Sequence, residues 1–117
     1  MKHRIASQYV PNPDVMLFHF NFTISRSRIE RFERPLRDSS SRYLKSLGPK
    51  GRELVTRLMK TKGIISVSIV PYSVQIEKAP LFSWNELLPK IEAAVKGCVP
   101  ESKRDALVIT GFANLNR

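Results

Sequence analysis

Basic side chains that recur at a short interval are the feature of this sequence with the clearest chemical consequence. The candidate anion- or partner-binding residues are the eight basic side chains Arg28, Arg31, Arg34, Arg37, Arg42, Lys45, Lys50 and Arg52. Guanidinium groups bind phosphate and carboxylate oxygens through paired hydrogen bonds. On a helix, the three-residue spacing of the first four would place several arginines on one broad face, with Phe32 nearby. Glu30 and Glu33 offer the alternative, which is local ion pairing that neutralises this face.

The positive charge of the chain is concentrated in its middle third. The 117 residues carry a net charge of +10. Residues 26–62 contain twelve basic and four acidic residues, a net charge of +8, and the flanking segments contribute +1 each. Such a block is typical of a solvated surface or connector, and otherwise of a surface for an anionic partner. The partner classes that we expect are an acidic protein partner or nucleic acid.

The residues around Lys50 are a second candidate for anion binding. Residues 48–52 read Gly-Pro-Lys-Gly-Arg and precede a helical pattern, and the first amides of a helix favour an anion. An ordinary turn and helix start is the alternative. The segment is not a phosphate-binding P-loop, because neither serine nor threonine follows Lys50.

Residues suited to catalysis or metal binding are few. Cys98 is the one cysteine, His3 and His19 are the two histidines, and no paired-carboxylate or His-Glu-x-x-His pattern occurs. We therefore expect no enzyme, no catalytic residue, no cofactor, no metal site and no small-molecule substrate. The lone cysteine suits a reducing, cytoplasmic location, and no apolar run is long enough to span a membrane. A small enzyme or regulator with an unrecognised pocket is the weakest alternative.

The elements that would position the basic block follow from hydrophobic periodicity. Residues 17–25 alternate apolar and polar as in a strand with one wet face, and residues 5–10 supply a possible pairing strand. Residues 65–76 alternate on both sides of Pro71 and predict a hairpin with Ile65 and Tyr72 on its apolar faces. Residues 107–110 are a possible edge strand.

Two amphipathic helices complete the predicted fold. One begins near Pro49 and ends before Gly63, and the other follows a capping box at Ser83 and Glu86 and either bends or restarts at Pro89. These elements predict an α+β fold, a two-layer sandwich of a mostly antiparallel sheet covered on one face by the two helices. Residues 26–47 are expected to form a basic, partly irregular and partly helical excursion.

Three segments together resemble the N-terminal domain of Nfu/NifU-type iron–sulfur scaffold proteins. They are the Pro-Asn-Pro-Asp turn at 11–14 with its following strand, the hairpin from Gly63 to Lys78, and the helix that contains Trp84 and Pro89. The resemblance covers about residues 8–97 and implies a fold and a docking role in cluster assembly. The family carries its cluster on a separate Cys-x-x-Cys domain, and no such pair occurs here, so cluster ligation is not implied.

Taken together, the sequence predicts one Nfu N-terminal-like domain over residues 1–117. The leading hypothesis is a non-enzymatic, small basic binding module that acts through protein contacts in iron–sulfur cluster assembly. The alternative hypothesis is a nucleic-acid-binding accessory protein that uses residues 26–62 for phosphate contacts. The oligomeric state is not predicted.

Overall fold

One mixed sheet of six strands forms the base of the structure. The computed structural model describes residues 4–98 and 108–111. The strands are β1 (Arg4–Tyr9), β2 (Val15–Phe20), β3 (Glu30–Glu33), β4 (Ile64–Val70), β5 (Ser73–Lys78) and β6 (Val108–Gly111). Their order across the sheet is β3-β4-β5-β2-β1-β6, and every neighbouring pair is antiparallel except β1 with β6. The edge strand expected at 107–110 is therefore present as β6.

Apolar side chains form continuous rows on one face of this sheet. Strand alternation puts every second residue on the same side, and the register aligns these residues between strands. Phe32 lies opposite Val67, Val67 opposite Ile76, and Ile76 opposite Met16. All four side chains are buried. This face therefore has to be covered by other apolar groups.

Helices supply that cover. They are α1 (Ser41–Ser46), which follows a 3₁₀ turn at Asp38–Ser40, α2 (Gly48–Met59) and α3 (Trp84–Lys96). The apolar stripes of α2 and α3 are buried in the same core as the strands, with Leu54 and Leu58 from α2 and Leu87 and Ile91 from α3. The predicted α+β sandwich, with two amphipathic helices over one face of a mostly antiparallel sheet, is confirmed.

The third helix begins as predicted but passes through its proline. The Ser83 hydroxyl accepts a hydrogen bond from the Glu86 amide, and the Glu86 carboxylate accepts one from the Ser83 amide. The predicted capping box is thus present. Pro89 lies inside α3, which continues to Lys96 as one helix, so the alternative of a restart at Pro89 is wrong.

The hairpin differs from the predicted alternation at one position in each strand. The ladder pairs Ile64 with Lys78 and Ser66 with Glu77, so Ile65 is an extra residue in a β-bulge. The bulge turns Ile64 into the core and leaves Ile65 37 % exposed. Tyr72 is also exposed, because it lies in the turn between β4 and β5 rather than on an apolar strand face.

The segment from 21 to 36 also departs from the prediction. Strand β2 ends at Phe20, and Ile24 instead donates its amide to the Pro71 carbonyl at 2.7 Å. Glu30–Glu33 is an edge strand paired with β4 rather than a helical turn. Strand pairing with β4 is favoured over a local helical turn because it places Phe32 in the apolar row of the sheet, which a helical Phe32 would not reach. The helical part of the excursion is confined to Asp38–Ser46.

A buried lysine ties the first loop of the chain to the sheet. The Lys78 ammonium lies 2.9 Å from a carboxylate oxygen of Asp14 and 5.9 Å from the centre of the Trp84 ring, and only 8 % of its side chain is exposed. The Trp84 indole in turn donates a hydrogen bond to the Pro13 carbonyl. A buried charge needs such a partner, because its transfer out of water is otherwise strongly unfavourable. Within residues 4–98 and 108–111, no helix is long and apolar enough to cross a membrane.

Removal of the Asp14 carboxylate should destabilise the fold. Asp14→Ala leaves the Lys78 ammonium buried without its counter-charge, and we expect a loss of about 2 kcal/mol in the free energy of unfolding, measured by urea titration. The double variant Asp14→Ala/Lys78→Met removes both charges and should lose less than the single variant. Equal losses in the two variants would contradict a stabilising role for this ion pair.

Candidate partner-binding surface

The eight basic residues singled out in the sequence all lie at exposed positions. They do not share one helical face, because the arginine run is divided between a loop, the edge strand β3 and the approach to α1. The proposed guanidinium face of a single helix, with Phe32 beside it, is therefore wrong. The structure separates the eight residues into two that are held by contacts of the fold, five that lie around the junction of α1 and α2, and Arg37.

Arg31 is held on the face of the sheet that α2 and α3 leave uncovered. Its guanidinium lies 3.5 Å from the Glu33 carboxylate and 3.7 Å from the Glu77 carboxylate. Glu77 also accepts a hydrogen bond from the buried Ser66 hydroxyl. The local ion pairing that the sequence offered as an alternative thus occurs at this arginine.

Arg34 is held by the end of α2. One guanidinium nitrogen donates to the carbonyls of Met59 and Thr61, at 2.6 Å each. The last carbonyls of a helix lack partners within the helix and carry partial negative charge, so a cation placed there stabilises the helix end. Arg34 therefore stabilises the fold, and its guanidinium is partly occupied by hydrogen bonds to these carbonyls.

The junction between α1 and α2 is the place where five of the other six basic residues come together. Gly48 adopts a φ of +83°, which ends α1 and lets α2 begin at once in a new direction. A side chain at Gly48 would collide with the Arg26 side chain, and one at Gly51 with the Ile24 carbonyl. The two glycines therefore allow residues 24–26 to lie directly against the start of α2.

Hydrogen bonds fix the same segment to the end of α1. The Arg26 amide donates to the Leu47 carbonyl at 2.8 Å. The Ser27 hydroxyl lies 3.0 Å from the Ser46 hydroxyl, in hydrogen-bond contact. These contacts bring Arg26 and Arg28, which precede β3, beside the basic residues of the two helices.

We define the junction surface as the six basic residues of this region, Arg26, Arg28, Arg42, Lys45, Lys50 and Arg52. Two of them are oriented by aromatic rings, since Arg42 lies 5.1 Å from the centre of the Tyr43 ring and Lys50 lies 5.8 Å from that of Phe22. Within the described part of the chain, none of the six forms an ion pair. The junction surface therefore presents uncompensated positive charge to solvent.

A shallow cavity of about 310 Å³ lies within the junction surface. Its walls come from residues 23–26 and 47–50, and Arg26 and Lys50 are the charged residues among them. The predicted anion site at 48–52 is thus at the N-terminal end of α2, where Arg26 joins it. Sequence reasoning omitted Arg26 from the candidate residues, although Gly48 and Gly51 indicated a close backbone approach.

Arg37 lies apart from the junction surface, beside a cavity of about 590 Å³ near the edge strand. The two carboxylates of Glu33 and Glu77 line this cavity together with Arg34 and Arg37. Opposite charges are therefore present in equal number, and the cavity offers an anion little net attraction.

Cys98 and His19 occupy environments that do not suit metal or cluster binding. The Cys98 thiol is half-buried and donates a hydrogen bond to the Ala94 carbonyl. Burial, and next the charge of Glu53, raise the pKa of this thiol to about 12, against a smaller opposing effect of Arg57. His19 pairs across the sheet with Gln8 at 2.8 Å. No group of three metal-ligating side chains occurs within the described residues.

An iron–sulfur cluster does not fit the residues that are present. Cluster iron is bound by cysteine thiolates in sets of about four. This sequence has one cysteine, and its raised pKa disfavours the thiolate that would bind iron.

The fold resembles solved structures of staphylococcal proteins. The crystal structure of protein SAV1430 from Staphylococcus aureus superposes with a TM-score of 0.54 at 22 % identity, covering 80 % of this chain and 98 % of that one. Its solution structure gives a TM-score of 0.54 at 20 % identity, with 81 % and 90 % covered. At this identity the likeness establishes the fold alone. Among curated proteins, no sequence matches this chain.

The sequence also matches a family described as the scaffold protein Nfu/NifU N-terminal domain. The match extends over residues 5–102, which includes both sheet hairpins, the junction surface and α3. The resemblance drawn from the Pro-Asn-Pro-Asp turn, the hairpin and the Trp84 helix is thereby confirmed. This chain belongs to the Nfu/NifU N-terminal domain family of scaffold proteins.

Proposed function

We propose that this protein is a non-enzymatic docking module for iron–sulfur cluster assembly, which binds an acidic protein partner on its junction surface. The observation that carries the proposal is the group of six exposed cations without described ion pairs, gathered around the start of α2. Uncompensated charge of one sign steers a partner of the opposite sign and favours its association. Membership of a scaffold family supports a role in bringing proteins together.

The cluster ligands in such an assembly come from the partner. The single cysteine and the absence of a metal-ligating group among the described residues support this division of roles. The contribution of this chain is then to hold and orient a protein that carries the thiolates. The lone, protonated cysteine also suits a reducing compartment, and we place the protein in the cytoplasm on that ground.

Nucleic acid is the second candidate partner. Arg28, Arg42 and Arg52 support it, because their guanidinium groups suit phosphate oxygens and have no ion pair among the described residues. The described part of the junction surface exposes Tyr43 as its one large aromatic residue. Proteins that bind single strands usually stack several bases on aromatic rings, so this comparison favours the protein partner.

Charge reversal on the junction surface should abolish partner capture. Wild-type protein, immobilised and exposed to a lysate of its own cells, should retain a protein that binds an iron–sulfur cluster. Mass spectrometry identifies it, and iron and sulfide analysis confirms its cluster. Arg42→Glu/Lys45→Glu should retain at least about tenfold less of this protein. The matched control Arg31→Glu/Lys96→Glu changes the net charge equally at residues that already have carboxylate partners, and should retain the wild-type amount.

Salt dependence separates the two partner classes. If nucleic acid were the partner, the logarithm of its binding constant would fall with the logarithm of salt concentration by about 0.9 per phosphate contacted on a duplex and about 0.7 on a single strand. We expect only weak, non-specific binding to either. The protein proposal would be wrong if nucleic acid bound tightly, with a slope that Arg42→Glu/Lys45→Glu reduced, while no cluster-binding protein was captured.

Cys98 should react slowly with alkylating reagents. Its pKa of about 12 leaves very little thiolate at pH 8, whereas a free cysteine is partly ionised there. Reaction with iodoacetamide, followed by mass spectrometry at pH 8, should be at least about a hundredfold slower than for the same protein unfolded in urea. A rate equal to that of the unfolded chain would show that the Cys98 thiol is not protected by its raised pKa and partial burial. A chemical role for Cys98 would then be open to test.

A further inference from the structure

A basic groove between α2 and α3 lies outside the junction surface. It has a volume of about 460 Å³ and is formed by the last turn of α2, the residues that follow it and the middle of α3. Its lining residues are Arg57, Lys60, Thr61, Lys62, Lys90, Ala93 and Ala94. Four of these seven carry positive charge and none carries negative charge. We call this feature the interhelix groove.

Most of the charge in the interhelix groove has no partner within the described chain. Arg57 pairs with Glu53 at 3.4 Å, on the preceding turn of α2, and its guanidinium lies against Gly97. Among the described residues, Lys60, Lys62 and Lys90 form no ion pair, and all three are exposed. The Glu86 carboxylate, one turn before Lys90, is used by the capping box of α3. The groove therefore has a net positive charge that an incoming anion can neutralise.

The shape of the groove indicates the kind of anion. Ala93 and Ala94 have small side chains, and they line the groove beside the cations at the end of α2. A groove between two helices accommodates a third helix, whose side chains enter between the walls. None of the described residues that line the groove is aromatic, so they offer a nucleic-acid base no ring on which to stack. The cations on both walls can meet carboxylates on two sides of one helix.

We propose that the interhelix groove binds a glutamate- and aspartate-rich helical segment of a protein partner. The proposal rests on the proposed function, since it assigns a second contact to the same kind of partner. Helix α2 separates the two sites: the junction surface flanks its N-terminal end and the groove its C-terminal end. Its 12 residues span about 18 Å. A partner that contacts both ends is held in one orientation, which a single charged patch does not achieve.

A labelled acidic peptide tests the groove directly. The probe is a fluorescein-labelled helical peptide of about 15 residues with glutamate at every third and fourth position. We expect fluorescence anisotropy to show saturable binding to the wild-type protein. Lys62→Glu/Lys90→Glu, with one change on each wall, should weaken the affinity about tenfold. The junction control Arg42→Glu/Lys45→Glu lowers the net charge by the same amount and should weaken the affinity less than the groove variant does. The matched control Arg31→Glu/Arg37→Glu lowers the net charge equally at residues outside both surfaces, and should retain the wild-type affinity.

A second pair of variants distinguishes binding in the groove from an effect of the net charge of the whole protein. Ala93→Glu places a carboxylate at an exposed position in the groove and should also weaken peptide binding about tenfold. Ala93→Gln introduces an uncharged side chain of nearly the same size as glutamate, and it should leave peptide binding unchanged. Amide resonances of Thr61, Ala93 and Ala94 should shift when the peptide is added to the labelled wild-type protein. Circular dichroism confirms that each variant is folded.

Four results would overturn the proposal. The first is absence of peptide binding to the wild-type protein, and the second is loss of peptide affinity in the junction control but not in the groove variant. The third is an equal loss of affinity in both variants, and the fourth is displacement of the peptide by a single-stranded oligonucleotide that binds more tightly. The second result leaves the proposed function intact, because the junction surface would then hold the acidic segment. Failure of the proposed function is recognised separately, as failure to capture a cluster-binding protein.

Discussion

An apolar surface on only one side of the sheet is the constraint on which the rest of this structure depends. The rows that contain Phe32, Val67, Ile76 and Met16 are buried on that side, and each such side chain contributes about 1.5–3 kcal/mol when it leaves water. Two helices with one apolar stripe each satisfy this requirement, and their other faces then remain in water. Because the basic residues of α1 and α2 occupy these outer faces, their charge is exposed as a consequence of core formation.

The acidic residues determine which part of this charge stays available. Glu33 and Glu77 neutralise Arg31 on the uncovered face of the sheet. Arg34 donates hydrogen bonds to carbonyls at the end of α2. Near the start of α2 and in the interhelix groove, the described carboxylates are few or already bonded. Among the described residues, most cations without an ion pair therefore lie near the two ends of α2. Attraction between exposed charges falls with ionic strength, so the proposed contacts should weaken as the salt concentration rises.

The described cysteine and histidine side chains both form hydrogen bonds within the fold. The one thiol is protonated and hydrogen-bonded to the Ala94 carbonyl, and the histidine within the sheet pairs with Gln8. Such groups stabilise the fold without offering a ligand set for iron. The Lys78–Asp14 pair and the Trp84 indole connect the first loop to the sheet and to α3.

Where local pattern agreed with tertiary pairing, the sequence was a sufficient guide. The capping box at Ser83 and the apolar stripe of α2 depend on contacts within a few residues, so both appear as predicted. The edge strand that contains Phe32 was not predicted from local pattern, because its partner β4 lies more than 30 residues away in the chain. The bulge at Ile65 likewise depends on the register between β4 and β5, which alternation in one strand does not reveal.

The same distinction holds for the candidate site. Residue types determined that the chain is strongly basic, has too few cysteines for a cluster and belongs among α+β sandwiches. Only the tertiary structure decided which cations lie near each other, since Gly48 and Gly51 let Arg26 approach α2, and helix packing brings Lys90 into one groove with Lys60. Charge and periodicity are properties of the chain itself, whereas the proximity of distant residues is created by the packing of the core.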